Sequence, residues 1–330
     1  MKAIVGIDIG GSSQTAIAYD FDGAVLGRAS VEAAADGGDD VIHTTLQVIS
    51  DLRMIAGLPD FEIVAVGVGI PGQVDDRRGE VTTAVNLGIG VESYPLAAQL
   101  EAHLRCPVTV ENDVRAAALG VYTYLTDSGE SPASLVFLNI GTGISAGVVL
   151  DGEIVRGAHG MAGEIGHVVI DPTGPQCRCG QHGCLEAIAA GPALARAWPR
   201  GSNPARSLFA ASLRGEAGAI AVAEPVTRDL VTALSWLAAT YDTERLVLGG
   251  GVTRAGAPLL GALRTEIARR AGLSEIAARR LQPQQVTLVD PDQFPGPLGA
   301  SMLARRTLLE ARAEPAGTSK RRMSNKGAAV

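Results

Sequence analysis

The sequence predicts an α/β protein built from two related domains around a cleft, and three observations lead there. A strand–turn–strand unit over residues 4–29 recurs over 136–158, with Asp8-Ile9-Gly10 falling on Asn139-Ile140-Gly141 and each copy running on to an Asp-Gly turn, Asp22-Gly23 and Asp151-Gly152. Each copy is followed by segments that alternate between helical and strand periodicity, the pattern of helices packed on sheets. Of the 330 residues 46% are apolar but only 4% aromatic, so the core must close through small aliphatic side chains, with helices lying near their sheets.

Taken in order, residues 3–9, 15–19 and 24–28 read as a three-stranded meander. Residues 39–56 predict a helix with Ile42, Leu46, Ile49 and Leu52 on one stripe. The apolar run 62–70, stopped by Pro71-Gly72, reads as a buried strand. A helix at 95–104 and a short strand at 108–111 follow. Asp113 then stands where the N-cap of a helix over 114–125 belongs, and Ala116-Ala117-Ala118 favours that helix. After a polar loop at 126–132 the second meander opens at Leu135. Short helices are expected within 191–223, a longer amphipathic helix over 225–241 and a strand over 245–248. A helix over 258–271, a strand over 286–289 and a last helix over 298–311 complete the pattern. Small, polar and basic residues beyond it predict a disordered tail over 313–330. The first domain is expected to span 1–113 together with about 298–312, and the second 114–297.

The formal charge of −7 argues against a nucleic-acid partner, which needs a basic surface to displace counterions. No apolar run is long enough to span a bilayer, so no membrane is expected as a partner. Met1-Lys2 leads straight into a strand, so no signal peptide is expected and the protein reads as cytoplasmic.

Four groups of residues carry chemistry. In the first hairpin Gly10, Gly11, Ser12 and Ser13 offer backbone N–H groups and hydroxyls to a phosphate, and Asp8 is placed to hold Mg²⁺ through water; the alternative is a plain tight turn. Gly141, Thr142 and Gly143 repeat the offer in the second hairpin. Gly249, Gly250 and Gly251 end an apolar strand where an adenine or ribose could lie, although such triplets also serve as simple turns. Glu111-Asn112-Asp113 sits at a strand end beside the domain junction, where ligands bind in open α/β sheets. There Asp113 can take the proton of an alcohol attacking phosphorus while Asn112 orients it, or Asp113 can merely cap the helix. Finally, His167, Cys177, Cys179 and Cys184 supply an imidazole and three thiolates, the full tetrahedral set of a structural Zn²⁺ site, with redox thiols as the alternative. A loop stiffened by metal would make the nearby Glu164 and Glu186 candidates for a polyol-binding wall.

Together these residues resemble the ROK family (repressors, open reading frames and kinases) of the actin-like ATPase/sugar kinase superfamily, whose two domains are ribonuclease H-like. The resemblance runs from Gly6 to about Ala304 and is carried by Gly6-Ile7-Asp8-Ile9-Gly10-Gly11-Ser12, Gly69-Ile70-Pro71-Gly72, Asn86-Leu87-Gly88 and Glu111-Asn112-Asp113. It continues through Gly141-Thr142-Gly143, Gly163-Glu164-Ile165-Gly166-His167, the run from Cys177 to Glu186, and Leu248-Gly249-Gly250-Gly251-Val252. It implies ATP- and Mg²⁺-dependent phosphorylation of a hexose hydroxyl, usually O6, with glucose as the first choice and N-acetylmannosamine or fructose as alternatives. It implies Asp113 as the base and Asn112, Glu164, His167 and Glu186 as sugar contacts. His167 would bind zinc through one ring nitrogen and sugar through the other. Gly72 and Asn86 would fall on sugar-side loops, and a homodimer or homotetramer would be the assembly. The family also contains sugar-sensing repressors, and polyphosphate is a competing donor. This chain departs from the family pattern at Ser12-Ser13, where Thr-Lys is common, at Ser145-Ala146, where glycines are common, and at Val121, where an acid is common.

Overall fold

A computed structural model describes residues 1–33, 36–55 and 62–313. The first meander is β1 (Lys2–Ile9), β2 (Ser13–Tyr19) and β3 (Val25–Glu32), followed by α1 (Gly38–Ile55) and β4 (Glu62–Ile70). A small hairpin, β5 (Gln73–Asp75) and β6 (Glu80–Thr82), precedes α2 (Leu96–Leu104), β7 (Val108–Asn112) and α3 (Asp113–Asp127). The second meander is β8 (Ser134–Ile140), β9 (Ile144–Leu150) and β10 (Glu153–Ile154). Then come α4 (Leu185–Ala189), α5 (Gly191–Ala197), α6 (Pro204–Leu213), α7 (Ala217–Tyr241) and β11 (Arg245–Gly249). The chain ends with α8 (Ala257–Ala271), α9 (Glu275–Arg280), β12 (Val286–Leu288) and α10 (Pro295–Ala313).

The two five-stranded sheets have corresponding orders, β3-β2-β1-β4-β7 and β10-β9-β8-β11-β12. In each the meander is antiparallel and the later strands are parallel to its first strand, so the repeat seen in the sequence is a repeat of topology. Asp8 lies opposite Gly69 of β4, and Asn139 opposite Gly249 of β11. The two positions are therefore equivalent strand ends.

Each sheet has its own aliphatic core. Ile7, Val66, Val68 and Val110 are covered by Ile49 and Leu52 of α1 and Leu96 and Leu100 of α2. Leu138, Val148, Leu246 and Leu248 are covered by Leu230 and Leu234 of α7 and Leu259 and Leu263 of α8. Full burial of each such side chain contributes about 1.5–3 kcal/mol. Between the cores α3 crosses α10, which also packs on β1 and β4. The crossing is backbone-close: a Cβ at Gly120 would overlap the Pro295 carbonyl, and one at Gly299 the Ala116 carbonyl. The last helix thus returns to the first sheet.

Several local expectations need correction. Asn112, not Asp113, caps α3: its Oδ1 accepts from the N–H groups of Val114 and Arg115 at 3.1 and 3.2 Å. The Asn side chain reaches both amides, so Asp113 enters as the first helical residue. Pro225 is inside α7 rather than at its start. Its ring costs one main-chain bond, yet buried Ala219, Ala223, Val226 and Leu230 hold the helix on both sides. The expected loop at 126–132 begins only after Asp127, and α10 starts at Pro295, where prolines suit a first turn. The predicted tail, from 314 onward, and Ala56 lie outside the described residues. Among the described residues no helix is long and apolar enough to cross a membrane.

Candidate active site

The carboxyl ends of β1, β4, β7, β8 and β11 open onto one cleft of about 690 Å³. Of the residues singled out above, Gly10, Gly11, Gly72, Asn86, Asn112, Asp113, Gly141, Thr142, Gly143, Glu164, His167, Glu186, Gly250 and Gly251 line it. Asp8 sits at the edge, its carboxyl against Gly296 in the first turn of α10. Ser12 and Ser13 are exposed beyond the lining, and Gly249 lies in β11 beneath the Phe137 ring. Asn139, Arg178 and Met161 line the cleft without having been picked out as ligand contacts.

The hairpins are not equally free along their length. The N–H of Gly10 donates to Ser13 O at 2.8 Å and that of Gly141 to Gly143 O at 2.9 Å, closing the turns. Among the described residues no such bond occupies the N–H groups of Gly11, Ser12, Thr142 and Gly143, which makes these the donors offered to an anion.

At the end of β7, Asn112 takes the cap of α3 and Asp113 follows as its first residue. Asn112 Nδ2 donates to Gly72 O at 3.2 Å, tying the strand end to the turn after β4. Its second amide hydrogen remains for a ligand. Burial pushes Asp113 up from 3.8 to about 6, against the pull of N–H groups in the first turn of α3; Glu164 pushes it further up and Arg115 holds it down. Asp8 is raised to about 7, first by burial and then by the Asp113 carboxylate. A divalent cation beside it would restore its charge, so its setting suits Mg²⁺. Glu164 is raised by burial, with His167 and Arg115 opposing and Glu186 adding to the rise. Three carboxyl groups that resist ionisation around one cleft suit a ligand bearing hydroxyl donors and a metal-bound polyphosphate.

His167, Cys177, Cys179 and Cys184 bring one ligand atom each within 4.8 Å of all the others. Cys179 Sγ and Cys184 Sγ are 3.6 Å apart, as are Cys177 Sγ and His167 Nδ1. Zn–S bonds of about 2.3 Å in a tetrahedron put sulfurs about 3.8 Å apart, so the size and donor set of the cluster are compatible with zinc. Right after Cys184, Glu186 accepts from the Ile144 N–H at 3.0 Å and meets Arg178 at 3.3 Å. The cysteine loop is thereby joined to the second hairpin, a link that carried no sequence signal.

The sequence profile of the ROK family matches residues 4–307. A glucokinase of Halalkalibacterium halodurans is 30% identical over 275 residues, 78% of this chain and 82% of the relative. An N-acetylmannosamine kinase of Citrobacter koseri is 32% identical over 253 residues, 75% and 83% of the two chains. The crystal structure of a ROK family glucokinase from Streptomyces griseus in complex with glucose and AMPPNP superposes with a TM-score of 0.74 at 27% identity, covering 92% of this chain and 99% of that one.

Proposed function

Because the chain belongs to the ROK family, we propose that it is an ATP- and Mg²⁺-dependent hexose kinase that phosphorylates the 6-hydroxyl of glucose, with Asp113 as general base. One observation carries the reading: Asp113, next to the Asn112 cap and raised to about 6, opens onto a cleft flanked by two glycine hairpins whose N–H groups are unengaged among the described residues. A base with that affinity is ionised at neutral pH yet basic enough to draw a proton as the hydroxyl attacks.

In the proposed reaction Asn112, Glu164, His167 and Glu186 hold the sugar, with Gly72 and Asn86 on its flank. Gly11, Ser12, Thr142 and Gly143 grip the polyphosphate, and Gly250 and Gly251 face the nucleoside. The sugar oxygen bonds to the γ-phosphorus as its proton passes to Asp113, and the bond to the bridging oxygen breaks, releasing ADP. Mg²⁺ held through Asp8 would supply charge neutralisation on the phosphates. Zinc held by His167, Cys177, Cys179 and Cys184 would fix the wall behind the sugar. Closure of two domains, 1–113 with 298–312 and 114–297, would exclude water from the phosphoryl group. A homodimer or homotetramer is the proposed assembly.

Relatives of similar identity that carry the names glucokinase and N-acetylmannosamine kinase make the N-acetylated sugar the second reading. Formation of sugar phosphate from a panel of hexoses and N-acetylhexosamines, with ATP or with polyphosphate as donor, tests both. Glucose should give the highest kcat/KM with ATP. Turnover that does not depend on any sugar would sink the proposal.

A further inference from the structure

Glu111, buried at the end of β7, is engaged on both carboxylate oxygens. Oε1 accepts from Arg115 Nε at 2.7 Å and from the Asn112 N–H at 2.9 Å. Oε2 accepts from Arg156 Nε at 2.6 Å, and the same Arg156 nitrogen lies 3.3 Å from Asp76, in the turn between β5 and β6. Arg115 extends the cluster, with Nη1 donating to Gly160 O at 2.7 Å. Gln73 Nε2 donates to His159 O at 2.9 Å. The charges balance, two arginines against two acids, and Glu111 is only 1% exposed.

The contacts of Glu111 and Asp76 with Arg156, of Arg115 Nη1 with Gly160 and of Gln73 with His159 converge on residues 156–160, which belong to the chain following the second meander. Their partners lie on β5, β7, α3 and the β5–β6 turn, around the first sheet. Further along, the Ala162 N–H donates back to Arg156 O at 3.1 Å, and Gly163 O accepts from the Ala146 N–H on β9 at 2.8 Å. A methyl group at Gly163 would overlap the Ala146 carbonyl, so the strap has no slack at that end. Glu164 follows directly, facing Asp113 closely enough to influence its proton affinity, and Gly160 and Met161 line the cleft.

We propose that Arg156 is a positioning residue for sugar binding: by clamping Glu111 and Asp76 it ties the 156–163 strap to the strand end that carries Asp113. This rests on the sugar-kinase reading above. Arg156 does not touch the reacting atoms. Its effect is to set the distance between the wall bearing Glu164 and the acceptor end of the cleft. Both acids approach the same guanidinium nitrogen, with Glu111 taking the hydrogen bond and Asp76 the longer ion pair.

The test compares Arg156→Met, Arg156→Lys and Asp76→Asn with the unaltered protein. Sugar KM, ATP KM, kcat, glucose binding by calorimetry without nucleotide, and hydrogen exchange of residues 157–163 are measured. Arg156→Met should raise sugar KM at least tenfold, leave ATP KM within twofold and speed exchange of the strap, with partial recovery in Arg156→Lys. Asp76→Asn, milder because Asp76 is more exposed, should raise sugar KM about threefold and serves if Arg156→Met does not fold. Sugar KM within twofold of the unaltered value in the folded variants would overturn the proposal, whatever their melting temperatures. If the unaltered protein neither binds nor phosphorylates any sugar, the kinase reading has failed and the sugar role of Arg156 falls with it. Exchange then decides the clamp itself: unchanged protection in the variants shows that Arg156 does not hold the strap.

Discussion

Replacing Asp113 with Asn should stabilise the protein while destroying its activity. Burial raises the Asp113 carboxyl from 3.8 to about 6, so the folded chain holds this proton more tightly than the unfolded chain does. Ionising the group at neutral pH therefore works against folding. At about 1.4 kcal/mol per tenfold change in affinity, the penalty is about 3 kcal/mol at pH 7. It falls to about half near pH 5 and vanishes once both folded and unfolded forms are protonated, at about pH 3 and below. Asn has the same shape and no charge, so it removes the penalty. Asp113→Asn should melt roughly 5 °C higher than the unaltered protein at pH 7 and at the same temperature near pH 3, measured without nucleotide or metal. Sugar-dependent ADP release should meanwhile drop about 10²–10⁴-fold. In the unaltered protein kcat/KM should decline as pH falls through about 6, where the base becomes protonated. A variant that melts no higher at pH 7 would refute the burial argument, and one that keeps more than about a tenth of the turnover would refute the role of the base.

Three other outcomes follow from the geometry. Gly163→Ala should cost about 2–5 kcal/mol in urea denaturation, because its φ of 98° strains any side chain and the methyl meets the Ala146 carbonyl; a cost under about 0.5 kcal/mol contradicts this. Asn112→Ala should lose about 0.5–2 kcal/mol of stability with the α3 cap and also raise sugar KM, since the bond to Gly72 O goes with it; unchanged stability would place the cap elsewhere. Metal analysis should find about one zinc per chain, and Cys179→Ala should abolish it; retained zinc would discredit the ligand set.

The fold was legible because its signals are repeated and periodic. The two meanders share a pattern, and the aliphatic stripes of α1 and α7 fall on their sheets as the 3.6-residue period requires. What escaped was short or tertiary. β5, β6 and α9 are too brief to carry a period, and Pro225 looked like a helix start because nothing local reveals the packing that carries α7 past it. At the site, the cysteine and histidine spacing pointed to the cluster that forms. The choice between Asn112 and Asp113 as cap was not legible, since both residue types cap well and only the path of the chain decides which one reaches the amides. Arg115 and Arg156 gave no signal at all: an arginine reads as solvated surface until its buried partner is known.

The pairing of Asp8 with Asn139 shows why two copies of one unit have come to differ. Both stand at equivalent strand ends over the same cleft, each beside its own glycine hairpin. Asp113 and Glu164 line that cleft and Asp8 stands at its edge, each with its proton affinity raised. A fourth acid at 139 would raise the cost of ionising them all and would repel a polyphosphate on the hairpin side. The amide avoids both effects, and its Oδ1 leaves room for the chain at Gly250 only because that residue lacks a Cβ, which would lie 2.5 Å away. One copy is thus suited to a cation and the other to an anion. A single nucleotide–metal complex needs both, so the asymmetry between the copies favours a shared ligand spanning the cleft over two separate sites.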